Sequence, residues 1–357
     1  MLPPSTSNHK QPYKIAVFPG DGVGKEVTGE ATRLLDLLAS KRPGLSFEFC
    51  THEVGAEEYL RTGDPLPESA MQACEATDAT LLGAMGLPSV RWPDGREMTP
   101  QIDLRERFDL YAGLRPIKLY NTIDSPLKGY GNERPIDFLL VRENTEGLFS
   151  ARLNQEASDG MESRDVMRIT RAGAERVCRT AFEHARKRRK HCTLVDKANV
   201  LPSMVFFRKI FDEVGEAFPD VERDYVYVDA MALFMVRKPD VYDVIVTENM
   251  FGDILSDLAA GIVGGMGMAP SGDVGTEHGI FQPSHGTAPD IAGKNIANPV
   301  AMILSGGMML EWLGETEAAQ VVEDAVARVL ADPSKRTPDM GGKLSTTEMT
   351  DAVIAEL

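Results

Sequence analysis

Ile15-Ala16-Val17-Phe18-Pro19-Gly20-Asp21-Gly22-Val23-Gly24 opens on a short apolar run and closes in a glycine-punctuated turn, and across residues 27–40 apolar positions then recur at helical spacing. The reading is strand, tight turn, helix. Comparable apolar runs return at residues 79–83, 138–141, 192–195, 225–228 and 241–247, each near a segment of helical periodicity. Strands that alternate with helices predict an α/β layered fold.

A chain of 357 residues, 43% apolar and 26% charged, can bury a substantial core in one large domain or two moderate ones. Its 54 acidic against 38 basic residues give a formal charge of -16, which disfavours nucleic acid or an anionic membrane as a partner and agrees with divalent-cation chemistry. The run Arg186-Lys187-Arg188-Arg189-Lys190 follows a helical pattern at 172–185 and reads as the solvated, cationic end of that helix. Cys50, Cys74, Cys178 and Cys192 form no C-x-x-C pair and no zinc spacing with histidine, so they read as reduced thiols. Residues 1–12 are polar and lack an apolar signal core, and no apolar run reaches the ~20 residues of a membrane span. A loose N-terminal arm on a soluble, cytoplasmic protein is expected.

The glycine turn is not a dinucleotide fingerprint, because the third glycine of G-x-G-x-x-G would fall at Lys25; Gly265-Met266-Gly267 fails in the same way. Two readings stay open for it, a turn that needs positive φ and a phosphate contact. In Asn249-Met250-Phe251-Gly252-Asp253-Ile254-Leu255-Ser256-Asp257 the two aspartates are i, i+4 and share one helical face. Hard carboxylate oxygens so placed suit Mg²⁺ or Mn²⁺; a solvated acidic face is the alternative, and the apolar neighbours predict a buried helix. Arg105, Arg115 and Arg142 supply planar forks for carboxylates, or else lie on the surface. Lys197, in Asp196-Lys197-Ala198-Asn199-Val200, and Asp229 each end a strand-like run, where side chains of an α/β sheet enter the ligand crevice.

At these residues the chain resembles the isocitrate and 3-isopropylmalate dehydrogenase family of β-decarboxylating dehydrogenases, which includes tartrate and D-malate enzymes. The likeness runs from Ile15 to about Ile354, with its strongest blocks at 104–116, 195–200, 228–231, 249–257 and His285-Gly286-Thr287-Ala288-Pro289-Asp290-Ile291-Ala292-Gly293-Lys294 through Asn298-Pro299. It implies a two-domain layered α/β fold that is not a Rossmann fold, with 1–110 plus 264–357 as the large, cofactor-binding domain and 111–263 as the small domain carrying the dimer interface. It further implies a homodimer with shared active sites that oxidises a malate-like 2-hydroxy acid with NAD and removes its β-carboxylate. On this likeness Arg105, Arg115 and Arg142 clamp the substrate, Asp253 and Asp257 with Asp229 of the neighbouring subunit bind Mg²⁺ or Mn²⁺, and Lys197 and Asp229 are catalytic. Asn199, His285, Gly286, Asp290 and Asn298 would meet the cofactor, and an acidic Asp290 favours NAD over NADP.

Two positions depart from the family pattern. Seven residues after Arg142 catalytic members carry a tyrosine that protonates the enolate left by decarboxylation; here Phe149 keeps the shape without the proton, as in some non-catalytic regulatory subunits. This fits both an active enzyme and a non-catalytic, ligand-binding relative, while the retained metal and clamp residues favour the enzyme. Where isopropylmalate enzymes place two leucines this chain has Gln101 and Ile102, which suits a small or polar substituent, as in isocitrate, tartrate or D-malate.

Overall fold

The computed structural model describes residues 12–131, 133–152 and 161–357; the expected N-terminal arm lies outside them except for Pro12. Ten strands, β1 (Tyr13–Phe18), β2 (Phe47–Thr51), β3 (Ala79–Leu82), β4 (Ala112–Lys118), β5 (Asp137–Glu143), β6 (His191–Asp196), β7 (Glu222–Tyr227), β8 (Val244–Thr247), β9 (Pro270–Val274) and β10 (Gly279–Pro283), join one sheet in the order β2-β1-β3-β10-β9-β4-β5-β8-β6-β7. β2-β1-β3-β10 and β5-β8-β6-β7 are parallel blocks. Between them β9 and β4 run antiparallel to each other and to the neighbouring block edges, making a seam at the centre of the sheet.

Eleven α-helices among the described residues cover the two faces: α1 (Val23–Lys41), α2 (Ala56–Thr62), α3 (Glu68–Ala76), α4 (Pro100–Arg107), α5 (Arg171–Lys187), α6 (Pro202–Gly215), α7 (Val228–Arg237), α8 (Asn249–Gly261), α9 (Val300–Trp312), α10 (Thr316–Ala331) and α11 (Thr346–Ile354). One face packs on α1, α5, α6, α9, α10 and α11 in a single apolar cluster. The other divides into a cluster with α7 and α8 and another with α3 and α4, with buried polar side chains of the seam between them. α9 is apolar on every side and almost wholly buried, as a central helix must be.

The first strand, turn and helix form as expected, and the turn has a structural task. Asp21, fully buried, accepts backbone N–H bonds from Ala56 (2.7 Å), Glu57 (2.8 Å) and Gly86 (2.7 Å). Gly22 stands at φ 55, where an added Cβ would fall 2.1 Å from the Thr287 carbonyl oxygen that receives Val23 N–H at 2.9 Å. The turn thus fastens the loops after β3 and β10 to each other.

Several segments differ from the sequence reading. The strand expected at 225–228 ends at Tyr227, and Asp229 lies in the first turn of α7, where the helix dipole favours a carboxylate. The run at 241–247 is a strand only from Val244, because Pro239 starts a 3-10 turn over Pro239–Val241. The basic run at the end of α5 is held by ion pairs: Arg186 and Lys190 with Asp220, and Arg188 with Asp137 and Asp243. Asp21→Ala removes three bonds to one buried carboxylate, so we expect a stability loss of about 3 kcal/mol or more in urea unfolding, with Asp21→Asn intermediate.

Candidate active site

Register places the site. Gly113 on β4 lies opposite Arg142 on β5 and Asp273 on β9, and Arg115 is two residues along the same face. Because Gly113 has no side chain, Asn144 can cover it; a Cβ there would sit 2.7 Å from Asn144 Oδ1. Asp273 is 1% exposed and accepts four donors: Arg105 Nε (2.8 Å), Arg115 (2.9 Å), Asn144 Nδ2 (2.9 Å) and Gln282 Nε2 (2.8 Å). Burial alone would raise its pKa, but Arg105 and Arg115 outweigh that and hold it far below the usual carboxylate range.

Arg142, also buried, donates through Nε and a terminal nitrogen to Asn249 Oδ1 and through its other terminal nitrogen to Asp253. Burial, and after it the charge of Arg105, draws its pKa down to about 10. A group so strained in its charged form gains from an added anion. The phenyl ring of Phe149 lies 5.2 Å from the Arg142 guanidinium.

Arg105, Arg115, Arg142, Asp253, Asp257, His285 and Gly286 line one cavity of about 200 Å³. All three arginines are buried, not on the surface. The expected burial of α8 holds for one face only: Asp253 is half-buried and Asp257 exposed on the side toward the cavity. The pKa of Asp257 is raised, by partial burial and then by Asp253 one turn away. Two carboxylates crowded at an open cavity fit a divalent cation, although no group of three acidic, histidine or cysteine ligands exists among the described residues of a single chain.

Lys197, Asn199 and Asp229 do not line this cavity. Lys197 donates to Asp229 at 2.6 Å, which lowers the pKa of that carboxyl, and Asn199 is exposed. Asp290 is exposed on the turn after β10. Asn298 is buried, its Oδ1 accepting Val300 N–H (3.1 Å) and its amide donating to Asp339 (3.2 Å). His285 keeps a lowered pKa through burial, with Nδ1 2.8 Å from the Gly286 oxygen.

Sequence reading missed Asp273, Asn144, Asn249 and Gln282. Asp273 sits in Pro270-Ser271-Gly272-Asp273-Val274, which has the composition of a loop; the two asparagines adjoin motifs that were read for their arginines and aspartates.

Residues 14–353 match the isocitrate/isopropylmalate dehydrogenase family, and the chain belongs to it. It is 45% identical over 348 residues to the 3-isopropylmalate/3-methylmalate dehydrogenase of Methanocaldococcus jannaschii, covering 96% of this chain and 98% of that protein. It is 41% identical to the 3-isopropylmalate dehydrogenase of Aquifex aeolicus, over 97% of each. The crystal structure of isocitrate dehydrogenase from Methylococcus capsulatus aligns with TM-score 0.87 at 36% identity over 96% of this chain and 99% of that one. A β-decarboxylating dehydrogenase of Thermococcus kodakarensis aligns at 0.81 and 38%, over 96% of each. The chain is a β-decarboxylating dehydrogenase acting on a CH–OH group, and the cofactors of its family are NAD and Mg²⁺ or Mn²⁺.

Asp273→Asn leaves two buried guanidiniums short of an anion, so we expect about 3 kcal/mol less stability at neutral pH. The sign of the pH effect follows from the depressed pKa: the contribution is complete above the unfolded value near 4 and declines as pH falls toward the folded one. The difference between native and variant in urea unfolding should therefore shrink from pH 5 to pH 3.

Proposed function

We propose that this protein takes a malate-like 2-hydroxy acid with a small or polar 3-substituent, transfers the C2 hydride to NAD, and releases the β-carboxylate as carbon dioxide. The carrying observation is the single cavity in which Arg105, Arg115 and Arg142 face Asp253 and Asp257. The arginines bind the carboxylates and orient C2. Asp253 and Asp257 would hold Mg²⁺ or Mn²⁺, which when bound makes the hydroxyl more acidic and polarises the ketone.

Lys197 takes the hydroxyl proton, and Asp229 joins the metal ligands, both from the second subunit of a homodimer. Supporting this, the Lys197–Asp229 pair lies away from the chain's own cavity, and the apolar residues Leu233, Val236 and Ile254 of α7 and α8 are exposed. The division into 1–110 plus 264–357 and 111–263 places the cavity between two domains, and the cytoplasm as location agrees with the absence, among the described residues, of any helix able to cross a membrane. Asn199, His285, Gly286 and Asp290 contact NAD; Asn298 shapes the end of that loop through Val300 and Asp339.

Phe149 cannot donate a proton, so the enolate is quenched by water or another acid. Nothing in the cavity favours the non-catalytic alternative, since every charged group that the chemistry needs is kept. Gln101 lines the cavity with its Oε1 buried and without a hydrogen-bond partner, a poor match to an isopropyl group.

The test is NADH formation with Mn²⁺ on D-malate, tartrates, isocitrate, homoisocitrate, 3-methylmalate and 3-isopropylmalate. We expect equimolar NADH and carbon dioxide, a kcat/KM about tenfold higher for a small or polar substituent than for 3-isopropylmalate, and a reversal in Gln101→Leu. Phe149→Tyr should raise kcat by about tenfold or more. Turnover by Phe149→Tyr alone would overturn the reading in favour of a ligand-binding relative.

A further inference from the structure

α4 carries Gln101 and Arg105 into the cavity, yet apolar packing holds it weakly. Of its eight residues only Pro100, Leu104 and Arg105 are buried, only Leu104 enters an apolar cluster, and Thr99 gives no side-chain cap. Ion pairs fix it instead. Arg105 pairs with Asp273 on β9, a strand of the seam itself (2.8 Å), and Arg107 with Glu75 on α3, which shares the apolar cluster of α4 (2.7 Å). The third tether comes from the other side: Arg152 donates to Asp103 at 2.7 Å and to both Glu106 oxygens at 3.1 and 2.8 Å.

Arg152 directly follows the 3-10 turn Phe149–Ala151, downstream of β5, whose phenyl ring rests on Arg142. Asp103 and Glu106 are i, i+3 on α4 and would repel without a cation between them. A guanidinium fork can serve both at once, which an ammonium cannot match. The Arg152 side chain is 18% exposed, so water competes for it only in part.

We infer that Arg152 is a positioning residue: it locks α4 to the Phe149 turn, so that Gln101 and Arg105 on one side of the cavity and Arg142 on the other are held as one unit. This use rests on the function proposed above. Substrate discrimination then depends on a side chain that does not line the cavity.

Two readouts test it, one without turnover. In amide hydrogen exchange on the full-length protein without substrate, Arg152→Met should speed exchange in α4 about tenfold or more and leave α3 unchanged. In kinetics it should raise KM for the preferred hydroxy acid about tenfold, keep kcat and the KM for NAD within about twofold, and narrow the preference over 3-isopropylmalate. The charge swap Arg152→Glu with Glu106→Arg should restore most of both effects, and Arg152→Lys should fall between. Unchanged exchange in α4 overturns the inference, as does a joint rise in both KM values that the swap does not relieve. If native protein turns over none of the acids, the functional reading fails while the exchange result still decides whether Arg152 locks α4.

Discussion

Two guanidinium groups do not lie side by side in a protein interior without an anion to neutralise them, and here that anion is Asp273. Its two oxygens take Arg105 from a helix, Arg115 from the neighbouring strand, Asn144 from the loop after β5 and Gln282 from β10. Four chain segments converge on one carboxylate. With the two arginines held, Arg142 is pressed into the same cavity with its charged form already disfavoured. In the function proposed above, a substrate carboxylate relieves that condition.

The sheet makes this convergence possible. Two parallel blocks meet through antiparallel β9 and β4, so the middle strands present Arg115, Asp273 and Arg142 on one face, between α4 and α8. The cavity is shaped at one side by the loops after β3 and β10, both tied to the β1–α1 turn by Asp21 and Val23. The glycines that resemble a nucleotide fingerprint therefore serve loop closure.

Much of this was legible in the residues. Strand-turn-helix punctuation predicted the layered fold, and the arginine and aspartate motifs named the residues that meet in the cavity. Other parts were not. β9 and β10 were missed because proline, glycine and a buried aspartate replace the alternating apolar pattern that marks a strand, and β4 because glycine and proline flank its arginine. Asp229 was misplaced by one element, since Val228 continues the apolar run although the backbone has already turned helical. The ion-pair partners of α4 are 32 to 168 residues away in sequence, a separation at which no local pattern operates.

The central claim is that the arginine cluster anchored by Asp273 receives the substrate's carboxylates beside a metal. It is tested most directly by calorimetric titration of NAD-free protein with a non-reacting dicarboxylate, with and without Mn²⁺. The account predicts one ligand per subunit, binding tightened about tenfold or more by Mn²⁺, and a loss of about 2 kcal/mol or more in Arg115→Met. Binding indifferent to both Mn²⁺ and Arg115 would contradict it.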